Sequence, residues 1–117
     1  MNLLPEDQKH FEELRFKQIE TQKLIVQVSS QLTAKERIKR KSELTLEEIR
    51  GLASSTKLYQ AVGRAFILTD NQVVAQNLEA TAKEADGEVT NLLAQKAYIE
   101  KQAEEADNAV QEFLKSK

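Results

Sequence analysis

Two long segments of this chain repeat apolar residues at alternating spacings of three and four, the heptad pattern of helices that pack side by side. The first segment runs from Phe11 to Lys39 and contains neither glycine nor proline. The second runs from Val74 to Phe113 and contains one glycine, Gly87. Because the whole chain has three glycines and one proline, a fold of many short strands lacks the turn residues that it needs. The chain is therefore predicted to be mainly α.

In each segment the pattern predicts a seam, which is the row of side chains that faces the other helix. The predicted seam of the first helix comprises Phe11, Leu14, Gln18, Thr21, Ile25, Val28, Leu32, Lys35 and Lys39. The predicted seam of the second comprises Val74, Leu78, Thr81, Ala85, Glu88, Leu92, Gln95, Ile99, Gln102, Ala106, Ala109 and Phe113. The two helices are expected to form a long antiparallel coiled-coil hairpin, because the short segment between them must reverse the chain.

The connector between the helices carries the clearest strand signal. Its residues 58–68 are rich in aromatic and β-branched side chains around Gly63, which favours a β-hairpin. A helix that continues through Gly63 is the alternative, at a cost of only ~1 kcal/mol. Thr45 and Glu48 have the spacing of a capping box, which predicts a short helix before the hairpin. The predicted single domain, 1–117, thus contains helices at 5–43, 45–53 and 70–116 and a hairpin at 56–69.

The predicted hairpin has two apolar faces. A type II′ turn at Gly63 and Arg64 suits glycine, whose φ can be positive. The resulting register pairs Val62 with Ala65, Ala61 with Phe66, Gln60 with Ile67 and Tyr59 with Leu68. A two-stranded sheet is marginal in water, so we expect hairpins of several subunits to combine into a closed β assembly. The alternative is that the hairpin folds back on its own helices. The predicted oligomerisation residues are Tyr59, Val62, Gly63, Phe66, Ile67 and Leu68.

The two chain ends supply a second candidate surface. Apolar side chains from both ends are expected to meet at the tip of the helical hairpin, several of them outside the seam. Clusters of this kind often mark binding sites, although frayed ends with incidental apolar residues are the plain alternative. This tip set comprises Leu3, Leu4, Phe11, Phe16, Val110, Phe113 and Leu114.

Charge and composition argue against several other functions. The net charge is −2, so no global field attracts nucleic acid or an anionic membrane. The single basic cluster, residues 35–41, is interpreted as a solvated helix face, with a docking role as the alternative. The chain has no cysteine, and its single histidine, His10, has no companion ligands for a metal. Without a nucleotide-binding loop or a catalytic triad, the chain is expected to be no enzyme and to need no cofactor.

The start of the chain lacks the basic and apolar regions of a secretory signal, and no apolar run approaches the ~20 residues that span a bilayer. A cytoplasmic protein is therefore the expectation.

The string from Tyr59 to Leu68, with Val62-Gly63-Arg64 at its centre, resembles the prefoldin family when it stands between two heptad segments. The match is to the β-type subunits, which have one hairpin. The resemblance implies a cytosolic hetero-hexamer of α-type and β-type subunits whose hairpins form β-barrels. It also implies an ATP-independent co-chaperone that captures unfolded proteins, notably actin and tubulin, and passes them to the cytosolic group II chaperonin. A coiled-coil scaffold without client binding is the first alternative, and an adaptor that uses the basic cluster is the second.

Overall fold

The first long helix, α1, runs without a break from Pro5 to Arg50 in the computed structural model, which describes residues 4–117. Pro5 stands at its first position, where the missing N–H group has no intrahelical partner to lose. Glu6 and Asp7 follow in the first turn, where carboxylates are favoured by the helix dipole. Leu3 lies outside the described residues.

The predicted short helix at 45–53 is wrong as a separate element, because α1 continues through it. The Thr45 hydroxyl donates to the carbonyl of Lys41 at 2.8 Å, so it bonds within the helix instead of capping a new one. Helix α1 ends one residue before Gly51. The amides of Leu52 and Thr56 then donate to carbonyls three residues earlier, which turns the chain toward the first strand.

The predicted hairpin and its register are confirmed. Strand β1 (Leu58–Val62) pairs antiparallel with β2 (Ala65–Thr69), and each predicted pair is present. Gly63 has a φ of 62°, and no other described residue has a positive φ. Positive φ at the first turn position alone is the sign pattern of a type II′ turn, which matches the twist of the two strands.

The second long helix, α2, runs from Asn71 to Lys115, and the residue before it caps its first turn. The amide of Gln72 donates to Asp70 Oδ1 at 2.9 Å, so Asp70 is the N-cap. The Thr69 hydroxyl instead donates to the carbonyl of Ile67 at 3.1 Å. Threonine and aspartate are both good caps, and the sequence places them side by side.

The described chain divides into two compact units, each of which contains a part of both helices. The terminal unit comprises Met1–Leu32 and Asn91–Lys117, described from Leu4 onward. The hairpin unit comprises Thr33–Thr90 and includes both strands. In each unit α1 and α2 run antiparallel, because residues later in α1 contact residues earlier in α2.

The predicted seam of α1 is confirmed. Val28 and Leu32 are buried, and every other predicted member is buried or half-buried. The seam also continues beyond the predicted end, through Ser42, Leu46 and Ile49. The polar member Thr21 is accommodated because its hydroxyl donates to backbone carbonyls of the same helix, at 2.9 Å to Gln18.

The predicted seam of α2 is confirmed at every second position, whereas at most of the positions between them the more buried side chain lies one residue later. The confirmed members, buried or half-buried, are Leu78, Ala85, Leu92, Ile99, Ala106 and Phe113. At the intervening positions the predicted Thr81, Gln95 and Gln102 are exposed, and the predicted Glu88 and Ala109 are only half-buried. The residues that follow these five, Ala82, Val89, Lys96, Ala103 and Val110, are in each case the more buried. The residues that face inward are thus each one position later. The burial along α2 fits a seam whose first residue is Ala75 instead of Val74.

This phase can be tested with two substitutions four residues apart. Val110 is 6 % exposed in the seam, whereas Leu114 is 39 % exposed. We expect Val110→Ala to lower the free energy of unfolding by about 1–3 kcal/mol, since it removes buried methyl groups and leaves a cavity. Leu114→Ala should cost less than about 0.5 kcal/mol. Urea denaturation of both variants measures the difference, and an equal loss would contradict the seam described here.

Replacement of Gly87 and of Gly63 by alanine should change the stability of the chain in opposite directions. Gly87 lies inside α2 with open space where a Cβ would stand, so Gly87→Ala should stabilise the chain by about 0.5–1 kcal/mol. Gly63 also has open space, but its positive φ makes Gly63→Ala cost about 1–2 kcal/mol. Thermal unfolding followed by circular dichroism gives both signs. Stabilisation by Gly63→Ala would rule out the turn.

Candidate functional site

The hairpin presents its apolar side chains to solvent. Phe66 is 73 % exposed and Tyr59 is 59 % exposed, and the other predicted oligomerisation residues, Val62, Gly63, Ile67 and Leu68, are exposed as well. We call these six residues the hairpin surface. Among the described residues β1 and β2 pair only with each other, so both outer edges of the ladder are free. The structure therefore brings the predicted set together on one small two-sided sheet.

The start of the hairpin approaches the helices of its unit. Leu58, Tyr59 and Gln60 line a groove of about 300 Å³ whose opposite wall includes Ile49 and Leu78. Leu58 is half-buried there, whereas the strand residues next to the turn are exposed on both faces. The alternative that the hairpin folds back on its own helices thus holds only for its first residues, and even Tyr59 among them stays 59 % exposed.

The tip set divides into exposed and buried members. Leu4 and Phe16 are about two-thirds exposed, and Leu114 is exposed to a smaller extent. Phe11 is half-buried. Val110 and Phe113 are buried, so the prediction that Val110 lies outside the seam is wrong. The error follows from the phase of α2, since a seam through Ala109 would have turned Val110 outward.

Phe113 is the centre of an aromatic cluster that closes the end of the terminal unit. Its ring stacks on Phe11 at a centroid distance of 5.8 Å, and His10 meets it edge-on at 5.4 Å. Lys117 Nζ lies 5.9 Å from the centroid of the same ring and 3.1 Å from Asp7 Oδ1. His10 is exposed, as a solvated histidine should be, but it also packs against Phe113.

Two lysines of the basic cluster are used inside the hairpin unit. Lys35 Nζ lies 2.7 Å from Glu88 Oε2, and Lys39 Nζ lies 2.8 Å from Asp86 Oδ1. The hydrogen bond to Glu88 and its negative charge raise the pKa of Lys35, and Asp86 does the same for the pKa of Lys39. These bridges let two charged residues occupy seam positions. They also reduce the free positive charge that an adaptor function would need.

Two further kinds of site are missing from residues 4–117. No three histidine or acidic side chains lie close enough together to hold a metal ion. Neither helix of this range combines the length and the apolar character that a membrane crossing requires.

Comparison with known proteins identifies one family. The family model described as "Prefoldin subunit" matches residues 6–117. "Prefoldin subunit 1" of Arabidopsis thaliana is 35 % identical to this chain over 89 % of the chain and 81 % of the relative. The protein of that name from Homo sapiens is 33 % identical, over 91 % and 87 %. Both relatives are thus matched over most of their length.

The fold is also that of a solved structure. The crystal structure of the prefoldin beta subunit from Thermococcus strain KS-1 matches with a TM-score of 0.77, over 95 % of this chain and 94 % of that one. Because the sequence identity is 18 %, this match shows a similar fold and nothing further.

The two lysine bridges predict how stability depends on alkaline pH. A lysine whose pKa is raised by folding contributes stability that is complete below its ordinary value of 10.5 and is lost as the pH rises through the raised value. The melting temperature should therefore fall above pH ~10.5. Lys35→Met with Lys39→Met should flatten this fall, whereas Lys41→Met should leave it unchanged. An identical alkaline fall in the double variant would show that the bridges contribute nothing.

Proposed function

The chain belongs to the prefoldin family, and we propose that it is a β-type subunit of a hetero-hexameric co-chaperone that binds unfolded proteins without ATP. A single hairpin between two long helices supports the β-type assignment. The observation that carries the proposal is the hairpin surface, because it exposes large apolar side chains on both faces of a two-stranded sheet. The proposal includes no catalytic residue and no cofactor.

In this proposal the hairpin surface joins the subunit to its α-type and β-type neighbours. Free strand edges can continue the ladder of hydrogen bonds into a neighbouring hairpin. Burial of a side chain such as Phe66 or Leu68 stabilises the contact by about 1.5–3 kcal/mol. The added hydrogen bonds between strands and the burial of apolar side chains both favour a shared β-barrel over a solitary hairpin.

Client capture is assigned to the exposed members of the tip set, Leu4, Phe16 and Leu114. Scattered apolar side chains on a helix suit unfolded chains, which lack a fixed surface to match. Each contact is weak, and several subunits acting together raise the overall affinity through effective concentration. Phe11 of α1 stacks on Phe113 of α2, and Val110 is buried, so these three residues support the tip from inside.

The proposed clients are unfolded or nascent proteins, actin and tubulin among them, and the proposed acceptor is the cytosolic group II chaperonin. A cytoplasmic location belongs to the same proposal. Membership of the family supports these assignments.

Assembly can be tested at the hairpin surface. Phe66→Ser with Leu68→Ser should weaken incorporation of the subunit at least about 100-fold, since two large side chains lose their burial at the interface. Native mass spectrometry of the mixed subunits reports both the mass and the composition of the assembly. Phe16→Ser is the matched control, because it removes an equally exposed aromatic ring from the terminal unit. Normal incorporation of the double variant would contradict the role of the hairpin surface.

Client binding can be tested separately in the intact assembly. A variant with Leu4→Ser, Phe16→Ser and Leu114→Ser should assemble normally and hold denatured actin several-fold less well, because each change removes exposed apolar area. Light scattering during dilution from denaturant measures the aggregation that the assembly prevents. Unchanged suppression of aggregation would sink the tip assignment and favour a scaffold without client binding.

A further inference from the structure

The groove between β1 and the two helices of the hairpin unit has an uncharged lining. We call it the β1 groove. Strand β1 contributes Leu58, Tyr59 and Gln60 to this lining, and α1 and α2 contribute the rest. The nine lining residues include no acidic or basic side chain, although 31 % of the whole chain is charged. Because Tyr59 also belongs to the hairpin surface, the groove continues the surface that the proposed assembly buries.

The apolar part of this lining is open to a ligand. Ile49, Leu58, Val74 and Leu78 are half-buried, so each keeps part of its side chain at the surface. The β1 groove has a volume of about 300 Å³. An apolar cavity of about 150 Å³ holds a benzene-sized molecule. The groove thus has room for one large apolar side chain, such as that of leucine, methionine or phenylalanine, together with part of its backbone.

The strand edge beside the groove can hold an extended segment. The N–H groups of Tyr59 and Ala61 point away from β2, because with a two-residue turn these residues belong to the pairs that exchange no hydrogen bonds. Within residues 4–117 the side-chain amides of Gln60 and Asn77, which also line the groove, form no hydrogen bond. A strand that pairs with the edge of β1 therefore finds both backbone and side-chain partners there.

The groove next to β2 has a different chemistry. Leu68 lines it together with the hydroxyl groups of Ser54 and Ser55 and the charged side chains of Lys57 and Asp70. An apolar side chain placed there would separate these polar groups from water without replacing their hydrogen bonds, which costs free energy. Of these two grooves, the β1 groove is the one that suits an apolar side chain.

We propose that the β1 groove receives one large apolar side chain from an extended strand of a neighbouring subunit, and that this strand pairs with the edge of β1. The inference rests on the proposed assembly through the hairpin surface and adds the edge that is used and the side chain that anchors it. The anchor also fixes the register of the two strands, because a shift by one residue turns every side chain of the incoming strand to the opposite face.

Two carboxylates placed in the groove test this anchor in the reconstituted assembly. Asn77→Asp with Thr81→Glu puts them on two exposed lining residues of α2, four positions apart. In competition with the unaltered chain, this variant should be incorporated about tenfold less well, since the burial of one large apolar side chain is lost. Native mass spectrometry with an isotope label on the unaltered chain measures the competition.

A matched control separates the groove from a general effect of charge. Gln72→Glu with Gln76→Glu adds the same two charges, also four positions apart, to exposed residues of α2 outside the β1 groove. This control should be incorporated as well as the unaltered chain. Equal incorporation of the groove variant and the control would overturn the proposal.

A photo-crosslink identifies what occupies the groove. The chain has no cysteine, so Thr81→Cys gives a single attachment point for benzophenone maleimide before assembly. Illumination of the assembly should join the label to an apolar residue of a neighbouring subunit's strand, which mass spectrometry of the digest identifies. The same label on Gln76→Cys should give much less of this product. Crosslinks from position 81 only to its own chain, or only to a bound client, would overturn the proposal.

The hairpin variant separates this inference from the function on which it rests. If Phe66→Ser with Leu68→Ser prevents incorporation while Asn77→Asp with Thr81→Glu does not, the groove is wrong and assembly through the hairpin surface stands. If both variants are incorporated normally, this chain does not assemble through its hairpin at all.

Discussion

Two strands cannot shelter two apolar faces, and most of what this chain is proposed to do follows from that limit. The hairpin surface exposes Phe66, Tyr59 and their neighbours because β1 and β2 have only each other to pair with among the described residues. Water must solvate these side chains until another sheet covers them. The buried apolar side chains of the two helices pack in the seam and leave the hairpin surface uncovered. Assembly with related subunits is the direct way to bury the hairpin.

The helices meet a different constraint, which is to stay paired although their seam is only partly apolar. Thr21 satisfies its hydroxyl within its own helix, and Lys35 and Lys39 reach carboxylates on α2. Each solution keeps a polar residue at an inward position without leaving it unpartnered. Such positions weaken the seam, and they also limit the registers in which the two helices can pack.

The sequence predicts an element correctly where its residues clearly favour one turn or register over the alternatives. Gly63 defined the turn, and alternation around it defined every pair in the ladder. The phase of α2 was harder, because Val73, Val74 and Ala75 offer three adjacent starting points in an alanine-rich helix. Val89 and Val110 mark the observed phase, whereas the predicted seam contains their less buried neighbours Glu88 and Ala109.

Hydrogen exchange of the strand amides tests the central claim most directly. In a hairpin with a two-residue turn, alternate pairs point their N–H groups outward, here those of Tyr59, Ala61, Phe66 and Leu68. These four amides should exchange rapidly in the isolated chain and slowly in the assembly, because only a neighbouring strand can accept their hydrogen bonds. Strong protection of all four in the dilute isolated chain would contradict the account, since the hairpin would then be complete without partners.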